Sequence, residues 1–310
     1  MKEFKATRTG YGEGLVEAAK KNKNIVALSA DLRDSIGMTK FSKIFPEQFI
    51  EVGVAEQNLV TVASGLANVG KKPFASSFAA FSPGRNWEQI RTTICYNNQP
   101  VVIASTHTGL GVGEDGATHQ MLEDIAMMRS LPNMQVIVPC DSEEAKKATL
   151  ELSKSKQPAY LRLGRQKVET ITKGRTFKIG KADILRHGKD ITIIACGPMI
   201  HEALKAYEKL KNKKISAEII NLHTIKPIDK ETIIKSAKKT KKIITIEDHQ
   251  VHGGMGSAVA EVLSQHHPTK IFIMGVCDSF GESGTHEELY KKYGLTSNHI
   301  VKKSLEMMKK

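Results

Sequence analysis

What this sequence lacks narrows its class first. Its 310 residues include only four cysteines, Cys95, Cys140, Cys196 and Cys277, and no two of them form a Cys-x-x-Cys pair. That argues against a disulfide framework or a thiolate zinc site and suits a reducing cytosol. No apolar run approaches the ~18 residues that a membrane helix needs. Met1-Lys2-Glu3-Phe4-Lys5 opens no apolar signal segment, so we expect a cytoplasmic chain without membrane contact. Aromatic residues are scarce at 5 %, and the single tryptophan, Trp87, reads as a packing residue. Acidic residues are the minority, 33 against 46 Lys and Arg, for a net charge of +13. A basic balance can serve nucleic acid or phosphorylated ligands. Here the lysines sit in helix-like runs such as 205–214 and 235–242, without the aromatic–basic alternation of a nucleic-acid groove. We read them as solvated faces with a general attraction for phosphate, and expect no nucleic-acid partner.

What is present is a globular composition, 40 % hydrophobic and 25 % charged, over a length for one large or two ordinary domains. Short apolar runs at 25–28, 49–52, 100–105, 133–139 and 160–163 read as buried strands. Helical spacing at 12–24, 59–67, 121–129 and 142–153 alternates with them, the last helix opening on Ser142 as its cap. After a polar, Gly/Lys-containing stretch at 166–180 the alternation restarts. Strands are expected at 190–196, 216–222, 243–247 and 271–274, and helices at 199–211, 229–238 and 256–265. This pattern predicts an α/β fold: a doubly wound, mostly parallel sheet in residues 1–170, a linker over 171–185 and a smaller α/β domain over 186–310.

Sheets of this kind bind ligands beyond the carboxyl ends of their strands. Asp31, Glu56 and the loop from Thr106 to His119 follow strands directly, and Arg165 follows the run 160–163. Glu56 can be a proton-handling carboxylate or a helix N-terminal acid favoured by the dipole. Phe78 and Phe81 can be core or a stacking face for a flat ring. Gly111-x-Gly113-x-x-Gly116 formally matches a dinucleotide fingerprint, but an acidic pair lies inside it and no helix pattern follows directly. His107, Asp115 and His119 look instead like ligands for hydroxyls and carbonyls, and their spacing carries no zinc signature. Arg8, Ser35 and Arg165 could hold a phosphate together. Gly253-Gly254-Met255-Gly256, opening a helix, could bind an anion but reads better as a tight turn.

At these residues the sequence resembles the C-terminal half of transketolase, over essentially the whole chain. The likeness is carried by Ala6-Thr7-Arg8, Ser29-Ala30-Asp31-Leu32, Gly53-Val54-Ala55-Glu56, Thr106-His107 with Gly113 to Gln120, Leu163-Gly164-Arg165-Gln166, the segment 221–229 and Phe280-Gly281-Glu282-Ser283-Gly284. The resemblance implies thiamine diphosphate as cofactor. Glu56 would meet N1′ of its aminopyrimidine and set the tautomer that removes the thiazolium C2 proton. The pyrimidine would stack on Phe81, with Phe78 beside it and Asp31 nearby. Asp115 would read the donor C2 hydroxyl, and His119 would act near the donor carbonyl and C1 hydroxyl. Arg8, Ser35, His107 and Arg165 would hold the sugar phosphate. Gly84 stands where full-length transketolases usually carry a third aromatic.

No Gly-Asp-Gly occurs anywhere in the chain, and that element belongs to the family's diphosphate- and metal-binding half. The resemblance therefore implies a split transketolase. A separate N-terminal subunit would hold the diphosphate and a divalent metal such as magnesium, in an α2β2 heterotetramer. This chain would hold no metal. It would act as a transferase of carbohydrate metabolism, in the pentose phosphate pathway, moving a two-carbon ketol unit from a ketose phosphate to an aldose phosphate. A deoxyxylulose-phosphate synthase-like or 2-oxoacid dehydrogenase E1β-like subunit is the near alternative; the former usually has arginine where His107 stands. A non-catalytic scaffold on the same fold is the distant one.

Overall fold

The computed structural model describes residues 2–309. Seven strands form the first sheet, in the spatial order Thr224–Lys226, Gln135–Ile137, Ala159–Arg162, Val102–Thr106, Lys72–Phe78, Ile25–Ser29 and Phe49–Glu51. The last six pair in parallel, so their carboxyl ends share one edge. Side-chain alternation along each strand feeds two apolar layers. Val26, Leu28, Ile103 and Tyr160 face one way, onto Leu59 and Ala63 of the helix Glu56–Asn68. Ile25, Ala27, Val102, Ala104 and Leu161 face the other way, onto Tyr11, Leu15, Ala145 and Ala148. Both faces are covered, which is why these strands read as continuous apolar runs and not as alternating ones. Each fully buried Leu or Ile contributes roughly 1.5–3 kcal/mol to that core.

Helix Thr7–Lys21 lies against helix Ser142–Leu152. Gly10 and Gly14, four residues apart, make the approach possible: a Cβ on either would run into the backbone at Ser142 or Lys146. The same glycines, each worth about 1 kcal/mol against helix formation, are why spacing alone places the helix start at 12 and not at Thr7.

A second, five-stranded sheet runs in the order Lys270–Val276, Lys242–Gln250, Ile191–Ala195, Ala217–Asn221 and Asp183–Arg186. Its first four strands are parallel and Asp183–Arg186 is antiparallel. The two sheets are not independent. Ile194, Ile220 and Met255 share a core cluster with Leu28, Ile103 and Tyr160. The strand Thr224–Lys226, from the second half of the chain, extends the first sheet antiparallel to Gln135–Ile137.

Four local expectations change. The cap of the helix at 142 is Asp141, whose Oδ1 accepts from the Glu144 N–H at 2.8 Å. Asp141 also takes the N–H groups of Ile171 and Thr172, so this buried carboxylate is the anchor that Ser142 cannot be. The polar stretch at 166–180 contains the strand Lys167–Glu169, paired with Phe4–Ala6, and the strand Asp183–Arg186 begins inside the expected linker of 171–185. The central strand Lys72–Phe78 carries no clear signal: Pro73 near its start and Ser76-Ser77 near its end interrupt the apolar run, though every residue in it is buried. The helix expected over 121–129 starts at Asp124, because Met121 is bridged to Thr108.

Candidate active site

The carboxyl edge of the first sheet gathers the residues that the sequence nominates. Glu56 is the first residue of its helix and only 4 % exposed. Arg85 Nη1 donates to both its carboxylate oxygens at 3.1 Å, and Asn86 Nδ2 donates to its carbonyl at 2.8 Å. The Arg85 guanidinium also lies 4.2 Å from the centroid of Phe81. Phe81 and Phe78 are near-parallel, with centroids 6.0 Å apart. The edge of His119 meets Phe81 at 5.5 Å, and Phe78 lies 3.7 Å from the ring of His107. A carboxylate, two flat faces and two imidazoles thus form one continuous chain of contacts.

Arg8 stands at the far end of that chain. Its Nη1 donates to the Ser35 carbonyl at 2.6 Å and lies 3.3 Å from His107 Nε2. A guanidinium only donates, so Nε2 must accept; the ring hydrogen is then on Nδ1, facing Thr106 Oγ1 at 2.8 Å. Burial, with Arg8, Arg165 and His119 around it, pushes His107 down to about 3, so it is neutral across the physiological range. Burial and the field of Arg165 also work against the charge on Arg8. An anion between the two guanidiniums would relieve both.

Arg165 Nη1 is paired with Asp115 at 2.8 Å, and Glu114 is 3.8 Å from the same guanidinium. The resemblance assigns Arg165 and Asp115 to opposite ends of a sugar, whereas here they touch. Both are over a third exposed, so the pair is worth only about 0–1 kcal/mol and yields readily to a better anion. Asp31 is exposed, with a left-handed φ of 58°, and its N–H donates to Glu51 Oε1 at 2.7 Å. It does not join the Glu56–Phe81 contact chain. It faces an open cavity of about 410 Å³ that Ser35 and Arg33 also line.

The segment 109–120 is not a dinucleotide loop. Leu110–Val112 makes one 3₁₀ turn and no helix opens from it. Gly109 has a φ of 69°, and a Cβ there would collide with the Asp248 carboxylate. At Gly254-Met255-Gly256 the helix start is filled by the chain's own Glu247, which accepts from the N–H groups of Met255 at 2.6 Å and Gly256 at 2.7 Å. That is the tight-turn reading, with no room for an external anion. Among the described residues no group of three or more His, Cys, Asp or Glu could hold a metal ion, and no helix is long and apolar enough to cross a membrane.

Sequence reasoning missed Arg85, Asn86 and Asp248. Arg85 had a signal, since it follows Phe81 by four residues, one turn on. Asp248 had none: it meets Leu110 across 138 positions of sequence.

Residues 4–170 match the transketolase pyrimidine binding domain, and residues 180–300 match the transketolase C-terminal domain. The chain belongs to the transketolase family. It is 49 % identical over 311 residues to a putative transketolase C-terminal section of Methanocaldococcus jannaschii, covering 99 % of this chain and 98 % of that one. It is 40 % identical to a 6-deoxy-6-sulfo-D-fructose transketolase subunit of a Clostridium species, covering 97 % and 94 %. The solved structure of a split-gene transketolase, an inactive β4 tetramer, superposes with a TM-score of 0.92 at 45 % identity and 98 % coverage of both chains. The α/β architecture of this transketolase-family chain is therefore that of the family. Its pyrimidine-binding domain implies thiamine diphosphate as the cofactor.

Proposed function

We propose that this chain is the C-terminal subunit of a split transketolase that transfers a two-carbon ketol unit from a ketose phosphate to an aldose phosphate. Its division into a pyrimidine-binding domain at 1–170, a linker at 171–185 and a C-terminal domain at 186–310 is part of that reading. The observation that carries it is the ordering along one sheet edge: a buried carboxylate and flat aromatic faces at one end, and Arg8, neutral His107 and Arg165 at the other. That is a surface for a ligand with a flat polar ring and a phosphorylated chain.

The residues suit an aminopyrimidine. Glu56 offers a carboxylate to a ring nitrogen, and Phe81 offers a face that a flat cation already occupies. When bound, thiamine diphosphate supplies the electron sink that allows a carbon–carbon bond beside a ketose carbonyl to break. Glu56 holds a proton at the pyrimidine end. His119, with its ring steeply inclined to Phe81, would be the proton-handling group at the donor carbonyl. Asp115 orients a hydroxyl once Arg165 turns from it to the phosphate, and Arg8, Ser35 and His107 complete that grip. A separate N-terminal subunit supplies the diphosphate and magnesium site in an α2β2 assembly in the cytoplasm.

Purification with that subunit is the test. The isolated chain should show no ketol transfer, and the reconstituted pair should show thiamine-dependent transfer. Transfer by the isolated chain would end the two-subunit reading. Arg165→Ala in the pair should raise KM for the phosphorylated donor by about 10–100-fold, the loss of one charge-assisted bidentate contact, with kcat nearly unchanged.

A further inference from the structure

The sugar-facing residues do not hold their own positions. The turn at Leu110–Gly111 is tied to the second half of the chain: Leu110 N–H donates to Asp248 Oδ1 at 2.9 Å and Gly111 N–H to Asp248 Oδ2 at 3.3 Å. Asp248 lies at the end of the second sheet and is 1 % exposed. Tyr290, on helix His286–Lys292 and 7 % exposed, donates its hydroxyl to Asp248 Oδ2 at 2.9 Å. The same hydroxyl accepts from Gln166 Nε2 at 3.0 Å, and Gln166 is the residue after Arg165. One phenol oxygen therefore joins the turn that begins the Asp115–His119 loop to the strand exit that carries Arg165. Farther along the loop, Gln120 Nε2 bridges the carbonyls of Gly113 and Glu282, and Ser283 Oγ donates to the Glu114 carbonyl.

We propose that Tyr290 is a positioning residue for substrate length: it fixes the separation between Arg165 and the loop carrying Asp115 and His119. This rests on the reading of that edge as a sugar-phosphate site. A purely structural tyrosine would support both ends equally. A spacer acts only on ligands that touch both ends at once, and only phosphorylated sugars do.

The variant is Tyr290→Phe, which keeps the ring in its packing and removes one oxygen. It takes the phenol partner from Gln166 Nε2 and one of two donors from Asp248 Oδ2, which keeps the Gly111 N–H, so the separation between the two segments loosens while each keeps its own fold. The assembled two-chain enzyme is assayed with fructose 6-phosphate and with fructose as donors, or with whichever ketose phosphate the wild type turns over faster and its unphosphorylated form. KM for the phosphorylated donor should rise on the order of tenfold, the scale of one to two lost hydrogen bonds. Its kcat should stay within about twofold, and KM for the unphosphorylated donor should not move. Asp248→Asn should give the same split. In the isolated chain, amide exchange at Leu110 and Gly111 should speed up in Tyr290→Phe.

Equal changes for both donors, or an unchanged KM for the phosphorylated one, would overturn the proposal, and faster exchange with an unchanged KM would reduce Tyr290 to a structural prop. Arg165→Ala separates the two levels of argument. If it leaves the preference for the phosphorylated donor intact, the sugar-phosphate site itself is misplaced. If it abolishes that preference and Tyr290→Phe does not alter it, the site stands and the spacer fails.

Discussion

Arg85 sits on both surfaces that an aminopyrimidine would use. Its guanidinium bonds the two oxygens of Glu56 and covers a face of Phe81. If the proposed function is right, cofactor binding must displace it. The side chain of Arg85 is 51 % exposed, so its ion pair is screened by solvent and worth about 0–1 kcal/mol. The contact with Phe81 adds about 0.5–1 kcal/mol at such a site. Displacement therefore costs roughly 0.5–2 kcal/mol, which corresponds to about a 2–30-fold weaker apparent affinity. We expect Arg85→Ala to bind thiamine diphosphate about 2–30-fold more tightly in the assembled enzyme, by that arithmetic, as read by calorimetry or by the fluorescence of Trp87 two residues away. Arg85→Lys, which keeps the charge but loses the planar stack, should fall between. Weaker binding in Arg85→Ala would refute the reasoning, since it would mean the guanidinium stays in place and helps to hold the ring.

Glu56→Gln keeps the backbone bond to Asn86 and the packing of the helix, so the melting temperature should move by no more than a few degrees. Activity of the pair should drop by about 10²–10⁴-fold, the scale of a lost proton-transfer group; activity within tenfold of wild type would remove Glu56 from that role. His107 should make stability pH-dependent. Its folded-state value of about 3 lies below the ordinary 6.5, so its contribution is complete above pH 6.5. As pH falls from 6.5 toward 3, the unfolded chain takes a proton that the folded one refuses, and stability drops by up to about 1.4 kcal/mol per pH unit. Burial pushes His223 down to about 4, and it adds to the same slope between those values. Urea unfolding of His107→Asn should show a shallower loss between pH 6.5 and 4, and a slope identical to wild type would contradict the neutral, buried imidazole. Asp124 and Arg162 are 0 % and 2 % exposed and 2.7 Å apart. Asp124→Ala leaves a buried guanidinium unpaired and should cost about 3–5 kcal/mol, seen as a lower urea midpoint in the isolated chain; an unchanged midpoint would show that water reaches Arg162.

Much of the first sheet was legible because parallel strands covered on both faces write themselves as short apolar runs. Ile25–Ser29, Val102–Thr106 and Ala159–Arg162 are of that kind. Lys72–Phe78 was hidden because its polar residues are satisfied inside the fold: Lys72 Nζ donates to the carbonyls of Pro100 and Ser155, and Ser76 Oγ meets Tyr11. Composition cannot show such partners. The position of the candidate residues at strand ends was legible for a geometric reason, since any polar residue just past a buried parallel strand must come to the carboxyl edge. Arg8 is the instructive exception. It lies at the start of a helix and reaches the edge because its guanidinium is drawn to the Ser35 carbonyl and His107. The supports of the loop 109–120 come from residues more than a hundred positions away, where no local pattern reports them. Ile194, Ile220 and Met255 close a core that begins in the first sheet, a long-range contact that no local pattern reports.

On the proposed reading, the order of groups along the edge also sets which way a ligand would lie. Glu56 and Arg85 neutralise each other at one end. Phe81 and Phe78 follow with no formal charge, and then His107, held neutral first by its burial and then by the guanidiniums of Arg8 and Arg165. Arg8 and Arg165 end the row, opposed by the exposed and readily exchanged contacts of Arg165 with Asp115 and Glu114. A phosphate placed at the Glu56 end would meet a carboxylate in a desolvated position, an arrangement that costs several kcal/mol. At the Arg8 end it would meet two guanidiniums whose charges already strain against each other. The net charge of +13 favours anions in general, and on the proposed reading the sequence of contacts from Glu56 to Arg8 would decide their direction. A neutral His107 is essential to that polarity: an imidazolium there would raise the repulsion among the arginines in the absence of ligand, whereas a neutral ring accepts from Arg8 and holds its guanidinium in place.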